Sequence, residues 1–150
     1  MGRSSLVLSF KKELACLAFL VFCGGAAEPG VALQVTVTNV RSERGHVRVA
    51  VCPKASFLQA SCAWHGVVPA RVGSVVVTVE GLPPGVYAVQ SFQDENDDGV
   101  INRSLLGIPK EGIGFSRDAP MRFGPPSFDD AAIRVGEAGG AVSLRLRYFD

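Results

Sequence analysis

The chain has 150 residues, and its 15 lysines and arginines nearly balance its 14 aspartates and glutamates. This balance excludes the strongly basic surface that is typical of nucleic-acid-binding proteins, and the length corresponds to about one domain. After the first 27 residues, no apolar run is long enough to span a bilayer. The sequence therefore predicts one folded domain, with no nucleic-acid partner and no transmembrane segment in the mature chain.

The first 27 residues have the composition of a secretory signal peptide. Arg3, Lys11 and Lys12 supply the positive charge, and a short apolar run follows them. Small residues lead up to Ala27, near which we expect cleavage. The sequence therefore predicts an exported protein whose mature domain is periplasmic or secreted.

The cysteines divide at the predicted cleavage point. Cys23 offers a lipoprotein alternative, which is less favoured because Phe22 stands where a small residue is expected. The mature domain, residues 28–150, has a net charge of −1 and keeps only Cys52 and Cys62. An even pair in an exported protein predicts a disulfide. A redox or metal pair is less favoured, because nine residues separate the two cysteines.

Six segments have the alternating apolar and polar residues, or the β-branched and aromatic content, that predict strands. They are residues 33–38, 47–51, 75–79, 87–92, 132–135 and 142–148. We expect the first two to form a hairpin through a turn at Gly45, and the last two to form a closing hairpin. The sequence thus predicts an all-β fold, an antiparallel Ig-like β-sandwich of six to seven strands.

The connections between these strands differ in length and character. Residues 53–72 are expected to be irregular and held by the disulfide. Residues 81–85, with the sequence GLPPG, predict a tight connection. Residues 94–130 form a long Gly/Pro-rich loop, with at most one helical turn at residues 127–132. A loop of this length inside a compact domain indicates a bound ion or a functional surface.

The segment from residue 94 to residue 102 places oxygen-bearing side chains at alternate positions. Numbered from Asp94, the donors of a calcium loop fall at positions one, three and five, and Gly99 falls where such a loop turns sharply. The expected ligands are the side chains of Asp94, Asn96 and Asp98, the carbonyl of Val100, and Asn102. The sequence therefore predicts a Ca²⁺ site, and Mg²⁺ is less favoured because it requires stricter geometry.

Two features separate this segment from a helix-loop-helix calcium site. Leu105 stands at position twelve, where that motif has a bidentate glutamate, and a strand precedes Asp94 in place of a helix. A metal would need a further donor from Glu111, Asp118 or a carbonyl of the following loop. The alternative is a solvated acidic turn. Against it, four carboxylates in five residues repel one another, with no nearby basic residue before Arg103.

A second segment, residues 111–128, interleaves aromatic residues with glycine and proline. Phe115, Phe123 and Phe128 are candidates for a ligand surface, because rigid rings and exposed backbone suit recognition. The alternative, which we prefer, is a long loop that these three rings attach to the core.

Four linked motifs extend along the chain. They are GLPPGVY at residues 81–87, DENDDG at 94–99, LGIPKEGIGFS at 106–116 and FGPPSFDDA at 123–131. Together they resemble an uncharacterised bacterial exported family, domain of unknown function 2141, over residues 33–148. The resemblance implies a periplasmic or secreted β-domain without an established activity.

The connection that runs through a strand into the acidic loop also resembles prealbumin-type and adhesin B-type β-sandwiches. In calcium-binding members of the adhesin group, an acidic loop holds the ion, and Asp94, Asn96 and Asp98 match that pattern. Asn102 stands where an aspartate is usual, and this substitution would weaken the site.

No catalytic residue is identified in the sequence. There is no G-x-S-x-G motif, and His46 and His65 do not match the paired histidines of transthyretin-type hydrolases, which share such a sandwich. We expect an exported non-enzymatic β-sandwich with Ca²⁺ in its acidic loop and a binding or accessory role at the cell envelope, with an envelope protein or glycan as partner. The alternative is a small-ligand or carbohydrate carrier that uses the aromatic segment. A hydrolase using Asp94 and Asp98 is least favoured.

Overall fold

The computed structural model describes residues 29–150, so the predicted signal peptide and Cys23 lie outside the described residues. Its strands are β1 (Val31–Val40), β2 (His46–Cys52), β3 (Trp64–Pro69), β4 (Gly73–Leu82), β5 (Gly85–Asp94), β6 (Ile113–Phe115), β7 (Ala132–Val135) and β8 (Gly140–Arg145). One helical turn, α1 (Phe128–Ala131), begins after Ser127, whose hydroxyl accepts the amide of Asp130. This turn was predicted, and it is stabilised by an N-cap. No helix in the described range has the length and apolarity to cross a membrane.

The eight strands form two sheets that enclose one core, which confirms the predicted β-sandwich. The first sheet has the order β4-β1-β8, and the second has the order β3-β2-β5-β6, with β7 paired to the first half of β5. All pairs are antiparallel except β1 with β8, which run parallel. The count exceeds the predicted six to seven because of the short strand β6 and of β3.

Both predicted hairpins are wrong. β1 pairs with β4 and β8, whereas β2 pairs with β3 and β5 in the other sheet. β7 and β8 are likewise divided between the sheets. Alternation identifies which side chains of a strand face the core, but two strands on opposite sides of that core show the same alternation. The turn at Gly45, which has a φ of +68°, therefore passes from one sheet to the other.

The segment between residues 53 and 72 was expected to be irregular, and this is wrong for β3. Half-buried Trp64, Gly66 and Val68 alternate there with exposed residues, and β3 pairs along its whole length with β2. The internal glycine and terminal proline weaken its strand pattern, and both are tolerated because β3 is an edge strand. The predicted disulfide is confirmed: Cys52 and Cys62 are bonded across a Cα–Cα distance of 5.2 Å.

The main core lies between the two sheets and consists largely of valine and leucine. Its fully buried members include Leu33, Val35, Val37, Val47, Val51, Val77, Val79, Leu82, Val89, Leu144 and Leu146. The period-two alternation read from the sequence accounts for these positions. The opposite face of the second sheet is covered in part by the long segment between β5 and β7, which contains the candidate site.

Candidate functional site

The acidic loop begins at the last residue of β5, and the pairing of β2 with β5 decides what surrounds it. Asp94 lies opposite His46, and Arg48 lies opposite Phe92 on the same outer face of the sheet. The Arg48 Nε atom donates to Asp94 Oδ2 at 2.7 Å, and the Asp94 side chain is fully buried. A strand register formed by residues far apart in sequence therefore gives this carboxylate its basic partner.

The same carboxylate also fixes the turn of the loop. Asp94 accepts the amide of Asp98 at 3.2 Å on Oδ1 and the amide of Gly99 at 2.8 Å on Oδ2. Asp98 in turn accepts the amide of Val100 at 3.0 Å. Gly99 has a φ of +80°, as the predicted sharp turn requires, and Asp97 has a φ of +57°. The carboxylates of this loop thus act first as acceptors for its own backbone.

The expectation that no basic residue neutralises the loop's acids is wrong in three dimensions. The Glu95 carboxylate lies 2.6 Å from Arg41 and 3.9 Å from Arg44. The Asp97 carboxylate lies 2.6 Å from the His46 ring. Within the described residues, Asp98 has no basic side chain within salt-bridge distance, and neither has Glu111, which packs beside it. The uncompensated negative charge is therefore confined to these two side chains and their surroundings.

Glu111 joins the loop from seventeen positions beyond its first residue. Its carboxylate accepts the Asn102 amide at 3.1 Å and the Asn102 side-chain nitrogen at 3.4 Å. One oxygen from each of Asp94, Asp98 and Glu111 lies within 4.8 Å of the others. We call these three residues the acidic cluster. Asp118, the other candidate donor, lies elsewhere and accepts the amide of Arg145 at 2.9 Å.

The two uncompensated carboxylates respond differently to their surroundings. Burial raises the pKa of Glu111, which is only 5% exposed, and the charges of Asp94 and Asp98 act in the same direction, whereas the hydrogen bonds from Asn102 oppose them. The pKa of Asp98 is lowered, first by the Val100 amide that it accepts and then by the Asn102 side chain. The cluster therefore pairs a carboxylate that is costly to ionise with one that ionises readily.

The remaining predicted ligands lie around this cluster. Asn96 and Asn102 both direct their side-chain nitrogens to Asp98 Oδ2, at 3.1 Å and 2.8 Å. A half-turn of either amide would exchange its nitrogen for its oxygen. Val100 has an exposed side chain. Of the sequence candidates, the structure thus brings Asp94, Asp98, Asn96 and Asn102 into one neighbourhood and adds Glu111.

The three phenylalanines of the aromatic segment have different environments. Phe115 is buried and packs edge-on against Phe57, with ring centroids 6.0 Å apart. Phe128 also packs edge-on against Phe57, with ring centroids 5.8 Å apart. These rings belong to a second apolar cluster on the outer face of the second sheet. Phe123 is fully exposed, so two of the three rings attach the loop and one does not.

A cleft with a volume of about 770 Å³ lies on that same outer face. We call it the outer-face cleft. Arg48, Gln90, Phe92 and Phe115 line the strand side of the cleft. Its walls come from residues 58–62, 99–109 and 121–125, with Phe149. Phe115 and Phe123 line the cleft, and Phe128 does not.

One short segment separates the cleft from the acidic cluster. Asn102 contacts Asp98 and Glu111, whereas its neighbours Ile101 and Arg103 line the cleft. This wall was not predicted from the sequence. Two adjacent leucines, Leu105 and Leu106, in a segment without a strand pattern were a signal that could have indicated it, and both are exposed in the structure, with Leu106 lining the cleft.

The histidines show no arrangement for nucleophilic catalysis. His46 is bound to Asp97, and His65 is exposed at the cleft. In the described range, no hydroxyl or thiol forms a hydrogen bond with either ring.

Comparisons with known proteins match the chain to one family profile. No curated protein sequence and no solved structure matches the chain, so the resemblance to prealbumin-type and adhesin B-type sandwiches stays a prediction. A family profile described as "Uncharacterized protein conserved in bacteria (DUF2141)" matches residues 35–143. That span contains β2 to β7, the greater part of β1, the acidic loop and most of the cleft lining. The chain therefore belongs to this bacterial family.

Proposed function

We propose that this chain is an exported, non-enzymatic β-sandwich protein whose acidic loop binds Ca²⁺. Its role is binding or accessory at the cell envelope, where an envelope protein or a glycan is its partner. The observation that carries the proposal is the approach of Asp94, Asp98 and Glu111 to within 4.8 Å of one another.

The donor set fits a hard cation of the size of Ca²⁺. Calcium takes about six to eight oxygen ligands in a flexible arrangement. Three carboxylates, the amide oxygens of Asn96 and Asn102, and backbone carbonyls of the loop supply oxygens, and no histidine or cysteine belongs to the cluster. Because Asp94 is paired with Arg48, whereas Asp98 and Glu111 have no basic partner among the described residues, Asp98 and Glu111 would supply most of the binding charge.

The electrostatics of Glu111 support the same conclusion. Burial and the two neighbouring carboxylates disfavour the ionisation of Glu111, and its pKa is therefore raised. A divalent cation among the three would offset both the burial and the mutual repulsion. The cation would replace the Asn102 side-chain nitrogen as the group shared by Asp98 and Glu111, and the Asn102 amide would turn to present its oxygen.

Calcium titration of the chelator-treated protein tests the proposal. We expect a measurable heat of binding that saturates at one ion per chain. The melting temperature should rise with calcium, since a ligand that binds the folded state stabilises it. Glu111→Gln should weaken calcium binding by about tenfold or more, because the charge of the ligands sets the affinity. Glu80→Gln, on the exposed face of β4, is the matched control and should bind as the wild type does.

The absence of both heat and thermal stabilisation at millimolar calcium would overturn the calcium function. Equal loss of affinity in Glu111→Gln and Glu80→Gln would show that calcium responds to the net charge of the protein. The acidic cluster would then not be the binding site.

A second candidate function is the transport of a small ligand. The outer-face cleft favours it, because concave, mostly apolar cavities of about 300–1,000 Å³ are the usual sites for small molecules. Phe115 and Phe123 line this cleft, as the aromatic segment of a carrier would.

A further inference from the structure

We propose that the outer-face cleft binds a free apolar organic anion, of the class of single-chain amphiphilic carboxylates. This inference rests on the second candidate function, the carriage of a small ligand, and is independent of the calcium site. It assigns a chemical class to the ligand from the shape, the rim and the charge of the cleft.

The strand side of the cleft combines apolar side chains with the polar side chains of Arg48 and Gln90. In the register of β2, β5 and β6, Ala50 lies opposite Gln90 and Gln90 opposite Phe115. Phe92 and Ile113 form the adjacent row. The apolar part of this surface can bury one side of a hydrocarbon chain or a ring, and affinity rises with each methylene that is removed from water.

The rim of the cleft is unusually apolar for a surface. Its exposed apolar members are Leu58, Val67, Ile101, Leu106, Ile108, Phe123 and Phe149. Single exposed apolar side chains are common, but a group of them around one cavity marks a binding surface. Phe123 is fully exposed and Leu106 is 87% exposed, so both can close over a ligand and lose contact with water.

The charges that line the cleft have one sign. The charged side chains that line it are Arg48, Arg103 and Arg122, and no aspartate or glutamate lines it. Arg48 is already paired with Asp94. In the described part of the chain, no carboxylate lies within salt-bridge distance of Arg103 or Arg122, and Arg103 donates to the carbonyl of Gly107 at 3.1 Å. These two arginines therefore complement an anionic group at the rim.

A neutral sugar suits this lining less well. Sugar hydroxyls require many polar side chains that both donate and accept, whereas arginines only donate. The amides of Gln59 and Gln90 are the main acceptors among the lining side chains. An apolar chain over Phe92 and Phe115 with its carboxylate at the arginines satisfies both parts of the cleft.

Isothermal titration with three ligands of equal chain length tests the proposal. The ligands are dodecanoate, dodecanol and dodecyltrimethylammonium, the two ions below their micellar concentrations and the alcohol below its solubility limit. A chelator is present so that calcium plays no part. We expect dodecanoate to bind most tightly. The double variant Arg103→Gln and Arg122→Gln should lower dodecanoate affinity by about fivefold or more and leave dodecanol unchanged, as expected for partly exposed ion pairs.

Two single variants sharpen the result. Phe123→Ala should weaken both dodecanoate and dodecanol by about tenfold, because the buried area of the ring is lost for either ligand. Arg71→Gln, at an exposed position outside the cleft, is the charge-matched control and should change neither affinity.

Three results would overturn the proposal in distinguishable ways. Equal binding of all three ligands to the wild type would keep a small-ligand function and reject the anionic class. No binding of any ligand would reject both. Co-sedimentation with phosphatidylglycerol vesicles, without binding of monomeric dodecanoate, would assign the exposed rim to a membrane surface and reject a free ligand.

Discussion

The outer faces of the two sheets differ in nearly every respect. On the first sheet, short polar side chains such as Thr36, Thr78 and Ser143 point to solvent. On the second, the long segment between β5 and β7 covers the strands, adds a second apolar cluster and borders the acidic cluster and the cleft. Both sheets share the same inner core, so the asymmetry lies entirely outside it.

This difference separates stability from function within one small domain. The inner core consists largely of valine and leucine, and its buried Gln93 is held by hydrogen bonds with Ser42 and Tyr148. The covered face contains buried charges, exposed phenylalanine and leucine, and backbone turns with positive φ, all of which are unfavourable for stability alone. Features of that kind persist at sites that bind something.

The largest expected effect on stability separates a leucine of the inner core from a leucine of the covered outer face. Leu82→Ala, in the fully buried inner core, should lower the free energy of unfolding by about 2–5 kcal/mol. Leu106→Ala, at the exposed rim of the cleft, should change it by less than about 0.5 kcal/mol. Urea denaturation followed by circular dichroism measures both. A large loss of stability in Leu106→Ala would mean that the rim packs against the fold and is not open for a ligand.

The inner core could be predicted from the sequence because burial there follows a local rule. Val35, Val37, Val77 and Leu144 are buried at alternate positions of their strands, as expected. The pairing of strands could not be predicted, since it depends on which side of the core each strand occupies. For this reason both hairpins were misassigned. β3 was missed because its glycine and proline weaken the strand pattern, and the predicted strand 142–148 extends three residues beyond the end of β8.

The candidate site shows the same division. The spacing of Asp94, Asp98 and Gly99 is local, and the loop they form was predicted. The basic partners Arg41, Arg48 and His46 lie at least 46 positions before the acids that they contact, and only the strand register brings them together. The cleft depends on the same register and on three loops, so no single segment of sequence contains its pattern.

A smaller effect is expected for the ion pair at the boundary between the regions. Arg48→Met leaves the buried Asp94 carboxylate with only backbone donors, so the free energy of unfolding should fall by about 1–3 kcal/mol. Because the variant removes a positive charge from beside the acidic cluster, calcium should recover part of the loss and bind more tightly than to the wild type.

A double-mutant cycle with Asp94→Asn isolates the pair from other effects. The interaction energy should be favourable in the absence of calcium and smaller in its presence. An interaction energy near zero in both conditions would show that water screens the ion pair at the partly exposed Arg48 side chain. Asp94 would then stabilise the loop only through the backbone hydrogen bonds that it accepts.

The smallest expected effect concerns two tyrosines, Tyr87 and Tyr148, which both pack with the inner core. Burial raises the pKa of Tyr87 in the inner core, and burial also raises the pKa of Tyr148, where Arg41 opposes it. A raised pKa in the folded state favours the neutral phenol, so this contribution to stability is complete below the ordinary tyrosine value of 10.0 and is lost as the pH rises through the folded values. Absorbance at 295 nm monitors the ionisation of these two residues.

We expect the free energy of unfolding to be nearly constant from neutral pH to about pH 10 and to fall above it. Tyr148→Phe should make the fall less steep and cost about 1 kcal/mol at neutral pH, because its hydroxyl donates to Gln93 Oε1 at 2.7 Å. Tyr87→Phe should reduce the fall without affecting Gln93, since its hydroxyl donates to the carbonyl of Pro83. If both variants instead kept the full alkaline loss, a group other than these two tyrosines would cause it.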